Sequence, residues 1–97
     1  PEITSLDVKG DKALLSFAHV YGGLMKKGRE LTHFTIAGED RMFYPAKAKI
    51  KGTTVEVRAK EVKMPKAVRF AFSDVAEPNL YNSEGLPASA FRTDSWE

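Results

Sequence analysis

The chain has 97 residues, a formal net charge of +2, 42% hydrophobic and 29% charged residues, and no cysteine. That length suits one hydrophobic core and not a core plus a second folding unit, and the composition is globular rather than disordered, collagen-like or membrane-embedded. The missing cysteines exclude a disulfide framework, a thiolate zinc site and a cysteine nucleophile, and no apolar run has the roughly 20 residues of a membrane span or the pattern of a secretory leader.

The chain opens Pro1-Glu2-Ile3 without an initiator Met, as a fragment of a longer protein or a processed chain would. Period-two alternation, the signature of strands with one buried and one wet face, recurs almost from end to end. Thr4, Leu6 and Val8 alternate with Ser5 and Asp7, Lys9-Gly10-Asp11 supplies turn chemistry, and Ala13 to Val20 resumes an apolar strand, which predicts a hairpin. Tyr21 to Glu30, with Gly22, Gly23 and Gly28, reads as a loop.

Leu31 to Ala37 reads as a strand with Phe34 and Ile36 on one face and His33 and Thr35 on the other, broken by Gly38-Glu39-Asp40. Arg41 to Tyr44 is a short apolar piece stopped by Pro45. Ala46, Ala48 and Ile50 alternate against Lys47, Lys49 and Lys51, and after Gly52 the residues Val55, Val57 and Ala59 alternate against Glu56 and Arg58, the clearest hairpin in the chain. Val68, Phe70 and Phe72 mark a further strand. From Ser73 the texture changes to loop-forming residues with apolar anchors, so residues 74–97 are expected to be an irregular tail, with Leu80, Leu86, Phe91 and Trp96 partly buried, on this domain or on a neighbouring domain of a longer chain, and Arg92 and Asp94 fixing its path by polar contacts.

Six or seven short strands in this length predict one all-β domain over residues 1–97, an antiparallel two-sheet sandwich of immunoglobulin-like size, with a jelly-roll-like sandwich as the alternative. The expected core is Leu6, Leu15, Phe17, Phe34, Ile36, Ile50, Val55, Val57, Val68, Phe70 and Phe72.

Chemistry is sparse. No serine sits on a Gly-x-Ser-x-Gly elbow, and the only imidazoles, His19 and His33, fall in predicted strands, His19 half-buried by parity with Leu15 and Phe17 and His33 facing outward. Glu39-Asp40 lacks the repeated oxygen spacing of a calcium loop and reads as a solvated turn, and the polar residues Asp74, Glu77 and Asn79 are ordinary for a loop. No catalytic, metal or cofactor site is therefore assigned. The Lys47, Lys49 and Lys51 row reads as a solvated sheet face that discourages edge pairing, and without interleaved aromatic residues it does not predict a nucleic-acid partner. Tyr21, Tyr44, Tyr81, Phe91 and Trp96 could stack on a sugar ring, although aromatic side chains in loops more often pin the loop to a core or a neighbouring domain.

The stretch GEDRMFYPAKAKIKGTTVEV from Gly38 to Val57 and the tail VAEPNLYNSEGLPASAFRTDSW from Val75 to Trp96 resemble the C-terminal region of the bacterial sialate O-acetylesterase family. GGLMKKGREL from Gly22 and AVRFAF from Ala67 fit the same pattern, GLPAS followed by FRTD is its most specific part, and Ala90 stands where the family has a proline. The resemblance implies a parent that removes O-acetyl groups from sialic acids with a Ser-His-Asp site on an SGNH-hydrolase domain, periplasmic or secreted in a bacterium. Neither a Gly-Asp-Ser block nor an Asp-x-x-His block is present here, so no catalytic residue carries over. The expected role is a non-catalytic accessory domain whose partner is the SGNH esterase domain of the same chain. A carbohydrate-binding module with a glycan partner is the alternative, and no membrane partner is expected. Tyr81, Leu86, Phe91, Arg92, Asp94 and Trp96 are the candidate residues for domain docking or glycan contact.

Overall fold

The computed structural model describes residues 1–20, 22–26, 28, 30–70 and 79–96. Among them the chain forms strands and no helix: β1 (Glu2–Lys9), β2 (Lys12–Ala18), β3 (Leu24–Lys26), β4 (Phe34–Ala37), β5 (Phe43–Pro45), β6 (Lys47–Lys51), β7 (Thr54–Arg58), β8 (Ala67–Phe70), β9 (Leu80–Asn82) and β10 (Phe91–Arg92). All pairings are antiparallel. One sheet has the order β1-β2-β7-β6, a second β10-β8-β4-β5, and β3 pairs with β9 in a small ribbon.

This order separates the two sandwich alternatives. Taking β1, β2, β4, β5, β6, β7, β8 and β10 in turn, the chain lays down an outer hairpin, crosses, returns and crosses again, which reproduces the ABED and C′CFG sheets of an immunoglobulin-like Greek key.

Both predicted hairpins form. Leu6 lies opposite Leu15 and Val8 opposite Ala13, with a register shift between Ile3 and Ser5. Ile50 lies opposite Val55 and Ala48 opposite Val57, and Gly52 takes φ +62° in the tight turn between β6 and β7, a conformation an L side chain resists.

The alternation determines which face is buried. Ala13, Leu15, Phe17, Val55 and Val57 from the first sheet meet Phe34, Ile36, Val68 and Phe70 from the second, all buried. Phe34 and Phe70 stack at 4.6 Å between centroids, and Phe91 approaches Phe70 at 5.5 Å and Phe17, from the other sheet, at 5.9 Å. Of the remaining predicted core residues, Leu6 and Ile50 pack against this cluster half-buried, and Phe72 lies outside the described residues.

Three expectations are corrected. His19 is not a half-buried strand residue: β2 ends at Ala18, His19 turns out of it with φ 58°, and its side chain is exposed. His33, with φ 68°, precedes β4 instead of sitting in it, although it is exposed as expected. Histidine is among the residues that enter the left-handed region more often, so both mark places where the chain leaves or enters a sheet. Third, the tail is more regular than expected, because β9 and β10 lie within it; its strands are made by pairing with β3 and β8 rather than by any alternation of their own.

Candidate functional site

The tail organises one flank of the sandwich. At its described start the Asn79 side chain donates from Nδ2 to the Glu30 carbonyl, and its Oδ1 accepts from the Thr32 amide at 3.0 Å. Asp74 and Glu77, considered with Asn79 as oxygen donors, lie outside the described residues. β9 then runs along β3 with Leu24 opposite Asn82 and Met25 opposite Tyr81.

Among the described residues Asn82 is the buried polar one, 1% exposed. Burial of an amide is tolerated only when its donors and acceptors are met. Its Nδ2 donates to the His19 carbonyl at 3.1 Å, and its Oδ1 accepts from the Glu84 and Leu86 amides, each at 3.0 Å. One side chain thus closes the turn after β9 and ties it to the end of β2. Gly22 lies against this turn with φ +97°, and a Cβ there would stand 2.9 Å from Ser83 Oγ.

Further on, Ala88 N–H donates to the Leu80 carbonyl and Pro87 bridges to Tyr81. β10 then pairs with β8, Phe91 opposite Phe70 and Arg92 opposite Arg69. The Val68 amide donates to Thr93 Oγ1 and the Thr93 amide to the Val68 carbonyl. On the outer face of this sheet Arg69 lies over the Phe43 ring at 4.0 Å, Phe43 meets Trp96 edge-on at 5.9 Å, and Arg41 covers Trp96 at 5.1 Å. Arg69 also donates to both carboxylate oxygens of Asp94, whose side chain is 1% exposed. Those hydrogen bonds hold the Asp94 carboxyl below the usual carboxylate range, against the opposing pull of burial.

The six residues singled out in the tail therefore separate. Phe91 and Asp94 serve the domain itself, one in the phenylalanine cluster and one in the ion pair. Trp96 is half-buried in the cation–aromatic stack, and Arg92 is exposed with Nη1 donating to the Trp96 carbonyl. Tyr81 is half-buried, with Met25, itself exposed, opposite it on β3. Leu86 is not buried on this domain: it is 52% exposed, because the turn built on Asn82 uses the Leu86 backbone and leaves its side chain outside, where a neighbouring domain could cover it. Sequence reasoning missed Arg69 as the partner of Asp94 and Asn82 as the turn's centre. An Asn-Ser-Glu-Gly run is the local signal of a turn closed by an asparagine side chain and could have located Asn82.

A second surface is the outer face of the first sheet. Lys47, Lys49 and Lys51 are exposed there, with Lys47 opposite Arg58 and Lys49 opposite Glu56. Lys9 lies opposite Lys12 at the far edge. Glu56 sits 3.7 Å from Lys12 and 3.8 Å from Lys51. Lys47 and Arg58 also line an open cavity of about 440 Å³ with Asp11, Pro45, Lys60 and Glu61. Among the described residues no three His, Asp or Glu side chains converge as a metal site would require. Tyr21, one of the aromatic candidates, lies outside the described residues; Tyr44 packs half-buried against the core.

No protein-family model matches the sequence. No curated protein matches it. Among solved structures it is similar to a carbohydrate acetylesterase from Xanthomonas citri, with 40% identity over 99% of this chain and a TM-score of 0.93. The chain spans 23% of that protein's length. It is thus related to a region of a carbohydrate esterase and shares that region's β-sandwich.

Proposed function

We propose that the chain is a non-catalytic accessory domain of a carbohydrate esterase, packed on an SGNH-type esterase domain that removes O-acetyl groups from sugars, sialic acids being the substrate the sequence resemblance implies. The observation that carries this reading is the likeness, at 40% identity over nearly the whole chain, to less than a quarter of a carbohydrate acetylesterase. The chemistry of the side chains supports it. Acyl transfer needs an activated nucleophile together with an oxyanion site, and both imidazoles of this chain stand exposed at strand ends.

The test is hydrolysis of an acetylated chromogenic ester by this chain and by a polypeptide in which it is joined to an SGNH esterase domain. Turnover is expected only from the joined protein. Turnover by the chain alone that disappears on replacing His19 or His33 would overturn the reading.

A further inference from the structure

The register of the first sheet makes its outer face more basic than its edges require. Lys9 stands directly opposite Lys12, and Lys47 directly opposite Arg58. The β2–β7 pairing, Ala13 with Val57, brings the next residues, Lys12 and Arg58, alongside one another. Since neighbouring strands lie about 4.8 Å apart, these four cations make a line across β1, β2, β7 and β6, and Lys49 and Lys51 extend it along β6. Like charges directly opposite one another destabilise a sheet. Protection against edge pairing explains lysines on β1 and β6, which are edge strands. It does not explain Lys12 and Arg58, because β2 and β7 are the inner strands.

Neutralisation within the face is partial. Glu2, at the far end of β1, Asp7 and Glu56 are its carboxylates, fewer than its six cations, and among the described residues the ion pairs here are those of Glu56 with Lys12 and Lys51. The line ends at the open cavity, where Lys47, Arg58 and Lys60 stand with Asp11 and Glu61. Such a site offers cations to carboxylates and carboxylates to sugar hydroxyls.

We propose that this outer face binds a linear acidic polysaccharide that carries a carboxylate on each sugar, with Lys47 and Arg58 at the cavity as its central contacts. A repeating anion suits a repeating row of cations, and binding relieves the repulsion that folding leaves in the row. A nucleic acid is disfavoured because the outward residues alternating with the core positions of β1, β2, β6 and β7 include no aromatic ring on which bases could stack. The choice of a sugar polymer rests on the carbohydrate-esterase reading above, and it adds to that reading the class of polymer the domain would hold.

The experiment titrates this chain at low ionic strength with polygalacturonate, with neutral dextran and with a mixed-sequence single-stranded DNA. Polygalacturonate is expected to bind saturably and more tightly than either, and to weaken as salt rises. The double variant K47Q/R58Q is expected to bind it at least tenfold more weakly, yet to melt at the same or a higher temperature. The variant K63Q/K66Q, which removes the same charge from exposed positions off this face, is expected to bind as the parent does. Equal binding of dextran, tighter binding of DNA, retained binding by K47Q/R58Q, or an equal loss in K63Q/K66Q would each overturn the proposal. None of these outcomes bears on the turnover test, so the failure of one reading is distinguishable from the failure of the other.

Discussion

Arg69 and Asp94, 25 residues apart, meet at two points: Nε donates to Oδ1 at 3.1 Å and Nη2 to Oδ2 at 2.8 Å. A guanidinium fork matches a carboxylate in this way only when both backbones are fixed. The pair therefore locks the chain after β10 onto β8. Because the hydrogen bonds from Arg69 lower the Asp94 pKa in the folded state, the linked stability is fully present above the unfolded-state value of about 3.9 and is lost as pH falls through the lower folded value. The variant D94N should melt below the parent at pH 7, and the gap should close as the pH is taken below about 4. Thermal melts of both proteins across that range check this. A gap independent of pH would show that the charge on Asp94 does not stabilise the fold.

Asn82 gives a prediction of another kind, since its amide serves three backbone groups at once. The variant N82A leaves the His19 carbonyl and the Glu84 and Leu86 amides without that partner. Unmet groups of this sort cost about 1–3 kcal/mol each when buried. Water reaches part of this turn, so a loss of about 2–3 kcal/mol is expected in urea unfolding. Faster hydrogen exchange at the Leu86 amide than at the Ala88 amide, which is held by Leu80, should accompany it.

What was legible in the sequence follows the length of each alternating run. β6 and β7 repeat apolar and charged residues without a break, and the hairpin, its register and its outward lysines follow from that alone. Alternation does not mark where a strand stops, however. It carried His19 one step past the end of β2 and placed His33 inside β4, although both residues turn the chain. β10 has two residues and β9 three, too few for any period to register, and they exist because β8 and β3 offer them an edge. The Asp94 contact was expected but its partner was not. Arg92 is near Asp94 in sequence, whereas Arg69 comes near only once β8 and β10 pair.

Phe70 tests the assignment of faces. It is fully buried, stacked between Phe34 and Phe91. Truncation to alanine removes those contacts and leaves a cavity that backbone pairing on both sides keeps from closing. F70A should lose about 3–5 kcal/mol, measured as a fall in the urea midpoint at constant slope. A loss below about 1 kcal/mol would mean that the core does not depend on this face of β8.

Deletion of Ser89 to Glu97 reaches further, because that segment contributes to both faces of the second sheet. Inside, it takes away Phe91, which bridges Phe17 of one sheet and Phe70 of the other. Outside, it removes Asp94 from Arg69 and Trp96 from Phe43 and Arg41. It also deprives the Val68 amide of Thr93 Oγ1 and leaves β8 as an open edge, a template for pairing with other chains. A shorter deletion beginning at Ser95 keeps Phe91, Thr93 and Asp94 and, among the described residues, gives up the Trp96 contacts, of which the cation–aromatic contact with exposed Arg41 contributes roughly 0.5–1 kcal/mol. The melting temperature should therefore fall slightly for the short deletion and steeply for the long one, and the long one should aggregate at concentrations where the parent stays monodisperse in light scattering. Two deletions that melt together with the parent would show the segment to be an ordinary frayed end, and Phe91 would then contribute nothing to the core it touches.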